Sequence, residues 1–415
     1  PHSQSENRLR DLERALLARD LSAISQRVRK RRLVLFFGRD TFSDNSKYAY
    51  LCALARRSNQ QVLWCGFDPT LLDMLRKNGL PCFDLGADLD ASIDLLLHAA
   101  VAVFCVNPNE SLRGSAPFVA CLDGARKIQL WHGVSVKHLS FMLIPHMGVT
   151  DERYRQPFEF ASRADYVLST ASRFDRYWRG VFGCRTILRS GFPRNEVLVR
   201  PPTQHELLGS ELPAEAEAEL QSQSRRNVLV VPTWQRGQTT WLTETDCLIR
   251  LAQLSASEGI NFHFKVHPLY LHGFGATDRK TQGLRFLNPG VDIYPHLSRY
   301  DALVTDYSSI MFDFLLTGKP VLSLDLDQHQ HQRFEPDFSL VPDLDFRLRF
   351  TPNTFETELR QALKGKRPSE SRQMVEQLFE TPVEHSCNGL IDLIDRLVEA
   401  SQADDFTVEN TFYAR

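Results

Sequence analysis

At 415 residues, 42% hydrophobic and 24% charged, the chain has apolar material for two cores of roughly 150 to 200 residues each, and its formal net charge of −2 excludes a globally basic nucleic-acid surface. The longest apolar stretch, Leu95 to Val106, is broken by His98 and falls short of the roughly 20 residues that span a membrane. Eight cysteines without Cys-x-x-Cys spacing argue for buried thiols in a reducing, cytoplasmic compartment rather than a disulfide framework or a metal cluster; no signal peptide is visible, and a first residue other than methionine leaves an upstream domain open.

Asn7 to Arg32 reads as one charged helix, with Leu9, Leu12, Leu16, Leu17, Leu21 and Ile24 at helical spacing and a basic end at Arg27, Arg29, Lys30, Arg31 and Arg32. It is expected to dock on the body with its end solvated; the alternative is contact with an anionic membrane, at about 1 kcal/mol per basic residue. Leu33 to Phe37 is a buried strand ending at Gly38, followed by Asp44-Asn45-Ser46 and a helix through Tyr48, Leu51 and Leu54. The strand signal repeats at Gln61 to Cys65, Pro81 to Leu85, Ala102 to Val106 and Lys127 to Leu130, with helical patterns at Pro69 to Lys77 and Leu89 to His98 between. Alternation at this pitch predicts a parallel sheet with helices on both faces.

The last of these strands runs into Trp131-His132-Gly133. A strand at Tyr166 to Ser169, a helix at Arg173 to Phe182 and a turn at Gly191-Phe192-Pro193-Arg194-Asn195 follow. Pro201-Pro202 and the Ala/Glu/Gln/Ser-rich Glu211 to Ser224 read as a seam. The pattern then restarts with a strand at Asn227 to Val231, a helix near Thr243 to Ser257 and a strand at Asn261 to Val266. The expected organisation is a charged helix over 1–32, a first Rossmann-like domain over 33–204, a second over 205–385, and from 386 to 415 a helix returning to the first domain, with a tail.

The chemistry gathers at strand ends. Within Tyr300 to Pro320, Ala302 to Thr305 reads as a buried strand and Ile310 to Leu316 as the next helix, with Asp306, Ser308 and Ser309 between them. In isolation such residues are first of all helix caps. At the carboxyl end of a parallel strand, however, backbone N–H groups and two hydroxyls also suit a diphosphate. His132 and His267 hold matching places after Lys127 to Leu130 and Asn261 to Val266, and two domains presenting strand ends to a common cleft would set the imidazoles face to face. Arg194, Arg236 and Lys137 can counter phosphate charge or be solvated loop cations. Asp44 and Asn45 can orient an acceptor hydroxyl or cap the helix after them. There is no Gly-x-Gly-x-x-Gly, Walker loop, His-Glu-x-x-His or Gly-x-Ser-x-Gly, and the Asp-x-Asp pairs at Asp325 and Asp343 lie in weakly patterned segments.

Taken together, the motifs resemble those of the CDP-glycerol:poly(glycerophosphate) glycerophosphotransferases, the teichoic acid polymerase and primase group, with relatives among capsule polymerases. The stretches are Phe37-Gly38 with Ser43-Asp44-Asn45, Trp131-His132-Gly133 with Lys137, Gly191-Phe192-Pro193-Arg194-Asn195, Val231-Pro232-Thr233-Trp234, Lys265-Val266-His267-Pro268, and Thr305-Asp306-Tyr307-Ser308-Ser309 with Phe312-Asp313-Phe314 and Gly318-Lys319-Pro320. They run in family order over about residues 33 to 325, most of the chain. The family's usual Gly-Thr-Pro-x-Lys is replaced by Gly133-Val134-Ser135-Val136-Lys137.

The resemblance implies a GT-B architecture, two Rossmann-like domains facing a central cleft, with His132 and His267 as the catalytic pair. It places Ser308 and Ser309 on the donor phosphates, with Asp306, Thr305, Arg236, Lys265 and Arg194 grouped around donor binding and Asp44, Asn45 and Lys137 on the acceptor side. The implied reaction moves glycerol phosphate, or ribitol phosphate, from a CDP-alditol to a hydroxyl of an envelope glycan or lipid-linked acceptor and releases CMP. No cofactor is called for as obligatory; Mg2+ is compatible without being implied by any ligand spacing. The expected location is the inner face of the cytoplasmic membrane, peripherally bound. The alternatives are a GT-B glycosyltransferase using a nucleotide sugar and a non-catalytic module of a larger envelope-assembly protein.

Overall fold

The computed structural model describes residues 2–134, 163–222, 224–233, 240–266, 283–325, 340–341, 345–367 and 371–403. They divide into two units, the first drawn from Pro1–His132, Val149–Arg194 and His385–Arg415 and the second from Gly133–Gly148 and Asn195–Glu384.

In the first unit, β1 (Leu33–Phe37), β2 (Gln61–Gly66), β3 (Cys82–Asp84), β4 (Val101–Phe104), β5 (Arg126–Gln129), β6 (Tyr166–Ser169) and β7 (Thr186–Arg189) form one parallel sheet in the order β3-β2-β1-β4-β5-β6-β7. β1 and β4 are apolar and buried at every position because helices cover both faces of a parallel sheet. Their register, Val34 opposite Val101 through Phe37 opposite Phe104, stacks the two phenyl rings 4.7 Å apart. Each such side chain contributes about 2 kcal/mol by leaving water. The helices are α1 (His2–Ser25), α2 (Asp44–Arg56), α3 (Pro69–Lys77), α4 (Leu89–His98), α5 (Pro108–Ser111), α6 (Ala116–Cys121) and α7 (Asp175–Phe182). Asp68 and Asp88 start α3 and α4 by accepting the N–H groups of Leu71 and Ala91 at 2.7 and 3.0 Å.

The second unit repeats the plan with β8 (Arg226–Val231), β9 (Ile260–Phe264), β10 (Leu284–Phe286), β11 (Ala302–Thr305), β12 (Val321–Leu324) and β13 (Leu348–Phe350), all parallel, in the order β10-β9-β8-β11-β12-β13. Its helices are α8 (Ala214–Gln221), α9 (Thr245–Glu258), α10 (Ile310–Phe314), α11 (Phe355–Leu363) and α12 (Ser371–Leu378). The final helix, α13 (Asn388–Gln402), packs on α2, β1, β4 and β7 in the first unit. Both sheets have the Rossmann strand order, so the expected α/β architecture of two parallel sheets holds. The order reverses between β1 and β4 and between β8 and β11, and the crevices beyond the carboxyl ends at those points are where such sheets bind ligands.

Three local expectations change. The first helix stops at Ser25 rather than running to Arg32. The stop is set by packing: the Ser25 hydroxyl donates to the Cys121 carbonyl at 2.6 Å and accepts the Gly124 N–H at 2.9 Å, and a Cβ on Gly124 would lie 1.9 Å from the Ser25 carbonyl oxygen. The first helix docks as expected, but through one end of its apolar stripe: Leu21, with Ala18 and Ser25, packs on the body, while Leu9, Leu12, Leu16, Leu17 and Ile24 are 43% to 57% exposed. The chain also leaves the first unit between Arg194 and Asn195, ahead of the Pro201-Pro202 stretch, because the Asn195 side chain is already bonded within the second unit.

Candidate active site

The first switch point is wired around Trp131 and His132. β5 ends at Gln129, which is 1% exposed; its Nε2 donates to the Val106 carbonyl and its Oε1 accepts the Trp131 N–H, both at 2.9 Å. Trp131 is thereby held at φ +56°, left-handed backbone that a tryptophan adopts only under constraint. Its carbonyl accepts from Asn45 Nδ2 at 2.8 Å, and its ring lies 4.1 Å from the His132 ring and 5.2 Å from Phe182. His132 Nδ1 approaches the Cys105 carbonyl at 3.4 Å. A carbonyl can only accept, so this contact favours the tautomer with hydrogen on Nδ1 and the lone pair on Nε2.

Arg194 closes the arrangement from the Gly191-Phe192-Pro193-Arg194-Asn195 turn. Its Nη1 donates to Asp44 Oδ1 at 2.5 Å, its Nη2 donates to the His132 carbonyl at 3.1 Å, and its backbone N–H reaches Asn45 Oδ1 at 3.3 Å. Its side chain is only 4% exposed, so it sits with the groups expected on the acceptor side rather than with those expected around the donor. Asp44 also has φ +67°, which puts two of the four described non-glycine residues of positive φ at this one site. Cys105, under His132, is kept as a thiol: burial, and next the Asp44 charge, push it up to about 12. Gly191 is required by its neighbour, since a Cβ there would come 2.1 Å from Ser386 Oγ.

The second switch point is tied through Asp306, which is 1% exposed and links the loops after β8 and β11. Its two carboxylate oxygens accept the Thr233 N–H at 2.9 and 3.0 Å, and one also accepts the Tyr307 N–H at 2.6 Å. Asp306 is therefore not the cap of α10. Thr305 donates to the Val231 carbonyl and Ser323 to the Asp306 carbonyl, each at 2.6 Å. Ser308 and Ser309 follow, half-buried, and Ser309 makes no capping bond from its side chain. α10 is five residues long, continued by a 3₁₀ turn over Leu315–Thr317 that left-handed Gly318 closes; the helix dipole there is correspondingly slight. Asp313, fully buried in α10, accepts from Asn195 Nδ2 at 3.0 Å and from the Tyr294 hydroxyl at 2.6 Å. Lys265 Nζ donates to the Pro289 carbonyl at 2.8 Å.

His267, Lys137 and Arg236 lie outside the described residues, as do Leu326 and Asp327 of one Asp-x-Asp pair and Asp343 of the other. Gln129 and the Asp313, Tyr294 and Asn195 set were not singled out from sequence as site residues. The available signal was a polar residue in an otherwise buried run, Gln129 between Ile128 and Leu130 and Asp313 between Phe312 and Phe314.

The sequence pattern of the CDP-glycerol:poly(glycerophosphate) glycerophosphotransferase family matches residues 21–340. The teichoic acid poly(glycerol phosphate) polymerase of Staphylococcus epidermidis is 25% identical over 339 residues, covering 78% of this chain and 44% of that protein. The corresponding polymerase of Bacillus spizizenii is 29% identical over 205 residues, covering 47% of this chain and 50% of that one. The chain thus spans about half the length, or less, of these curated relatives. Among solved structures, the wall teichoic acid polymerase TagF superimposes with a TM-score of 0.69 at 18% identity over 96% of this chain and 98% of that chain, and another TagF structure was soaked with CDPG. UDP-GlcNAc 2-epimerase from Neisseria meningitidis gives 0.55 at 10% identity, over 88% and 99%. These likenesses show the fold, of GT-B type.

Proposed function

The chain belongs to the CDP-glycerol:poly(glycerophosphate) glycerophosphotransferase family, and from that premise we propose that it transfers an alditol phosphate from a CDP-linked donor to a hydroxyl of an envelope glycan or lipid-linked acceptor. Glycerol phosphate is the first choice and ribitol phosphate the second. The acceptor oxygen attacks the phosphorus that carries the alditol, the diphosphate bridge breaks, and CMP leaves. His132 takes the acceptor proton at Nε2, a role typically worth 10²- to 10⁴-fold in rate. Arg194, Asn45 and Gln129 hold it in place through the backbone of Trp131 and His132. Ser308 and Ser309 hydrogen-bond the donor diphosphate, and His267 assists there by stabilising charge on the departing CMP.

The observation that carries this reading is the seating of His132. A strained Trp131 is fixed by side chains of two elements, Asn45 of α2 and Gln129 of β5, at the switch point of a Rossmann sheet, and His132 Nδ1 faces a carbonyl. Strain retained at such a place is the mark of a group whose orientation matters. The same reading puts the protein at the inner face of the cytoplasmic membrane, with the exposed leucines of α1 and with Arg27 and Arg29 as the contact. Arg31 and Arg32 are less suited, being paired with Asp94 and Glu399. Among the described residues no helix is long and apolar enough to cross a membrane.

Purified protein given CDP-glycerol, CDP-ribitol and common nucleotide sugars, with crude envelope glycan as acceptor, tests the chemistry. CMP released only from a CDP-alditol is the expected result and names the alditol. A nucleoside diphosphate released from a nucleotide sugar would replace phosphotransfer by glycosyl transfer, and binding of CDP-alditols without turnover would mark a non-catalytic module.

A further inference from the structure

Two cysteines that the proposed chemistry does not use stand side by side in the first unit. Cys52 is on α2, two turns beyond Asp44 and Asn45, and partly exposed; Cys387 immediately precedes α13 and is 4% exposed. Their sulfurs lie within 4.8 Å of one another where α13 begins, α13 and α2 are in contact, and neither cysteine is in a disulfide. Forming the roughly 2.05 Å S–S bond requires that rotation of the two side chains close this gap.

The other six cysteines are poor competitors. Burial pushes Cys105 and Cys121 up to about 12 and Cys184 up to about 11, and it raises Cys65, Cys82 and Cys247 as well. Thiols held in that way do not supply the thiolate that reacts with oxidants.

We propose that Cys52 and Cys387 form a reversible disulfide driven by hydroperoxides, which clamps α13 to α2. The Cys52 thiolate attacks the hydroperoxide; the O–O bond breaks, the sulfur is oxidised to sulfenic acid, and the oxidant leaves as water or an alcohol. The Cys387 thiolate then attacks the sulfenic sulfur, the S–S bond forms, and the hydroxyl departs with a proton as water. A dithiol reverses the step with two electrons. The more exposed cysteine meets the oxidant and the buried one resolves the product, the usual division in thiol sensors. The clamp fastens the helix whose first turn carries Asp44 and Asn45, and it closes a loop that constrains the unfolded chain.

The test uses the full reduced chain and hydrogen peroxide, with N-ethylmaleimide blocking before a non-reducing digest and mass spectrometry. The expected product is a Cys52–Cys387 linked peptide two hydrogens lighter than the separate pair, with thiols titrated in denaturant falling from eight to six and recovering with dithiothreitol. The oxidised chain also unfolds at a higher temperature than the reduced one. Cys52→Ser and Cys387→Ser each lose the link and the added thermal stability, while their unfolding under reducing conditions shows that the fold is kept. Eight thiols still labelled after peroxide, links scattered among other cysteines, or Cys52 halting as a dimedone-reactive sulfenic acid would overturn the assignment.

Discussion

The two switch points share a strand order but are built in opposite ways. At the first, side chains from α2, β5 and the Gly191-Phe192-Pro193-Arg194-Asn195 turn converge on the backbone of Trp131 and His132, and a single half-buried imidazole is what they present. At the second, one buried carboxylate knots two loops together, and the hydroxyls of Ser308 and Ser309 stand half-buried just beyond the knot. On the proposed function the difference has a reason: a general base has to be aimed at one proton and needs fixed surroundings, whereas phosphate oxygens can be met by any of several donors, so a firm loop with hydroxyls on it would suffice.

That contrast can be broken at its strongest point first. Asp306→Ala should lower the stability of the second unit by about 3 kcal/mol, because it leaves the buried N–H groups of Thr233 and Tyr307 without their charged acceptor. Urea unfolding followed for both units checks it, and an unchanged midpoint would mean that the knot is incidental. At the first switch point Gln129→Leu removes the acceptor for Trp131 and the donor to Val106, at a cost of about 2 kcal/mol. There the sharper reading is kinetic: kcat should fall at least tenfold while KM for the donor stays, since the imidazole is misaimed and the donor untouched. If KM rose and kcat held, Gln129 would belong to binding. The smallest effect is expected for Ser308→Ala, about 1 kcal/mol, seen as a several-fold rise in donor KM because neighbouring groups share the phosphate.

How far the sequence carries depends on the range of the interaction. The strands were legible because each is a short apolar run needing no partner to be recognised, Leu33 to Phe37 being the clearest. The histidine motif was visible because Trp131-His132-Gly133 follows directly on such a run. What holds His132 was not legible. Asn45 and Arg194 are 149 residues apart, and only the folded sheet brings them together. Asp306 read as a cap because local rules give an aspartate before a helix no other partner, whereas its partner is Thr233, 73 residues away. The leucines of α1 read as a docking stripe because periodicity marks an apolar face without saying whether anything covers it.

The central claim is that the first switch point aims a base. CMP release from CDP-glycerol by His132→Ala, compared with the unaltered protein at equal folded concentration, tests it most directly. The account predicts a fall in kcat of at least a hundredfold with donor affinity and unfolding temperature preserved. Turnover within a few-fold of the unaltered protein would contradict it and move the base elsewhere.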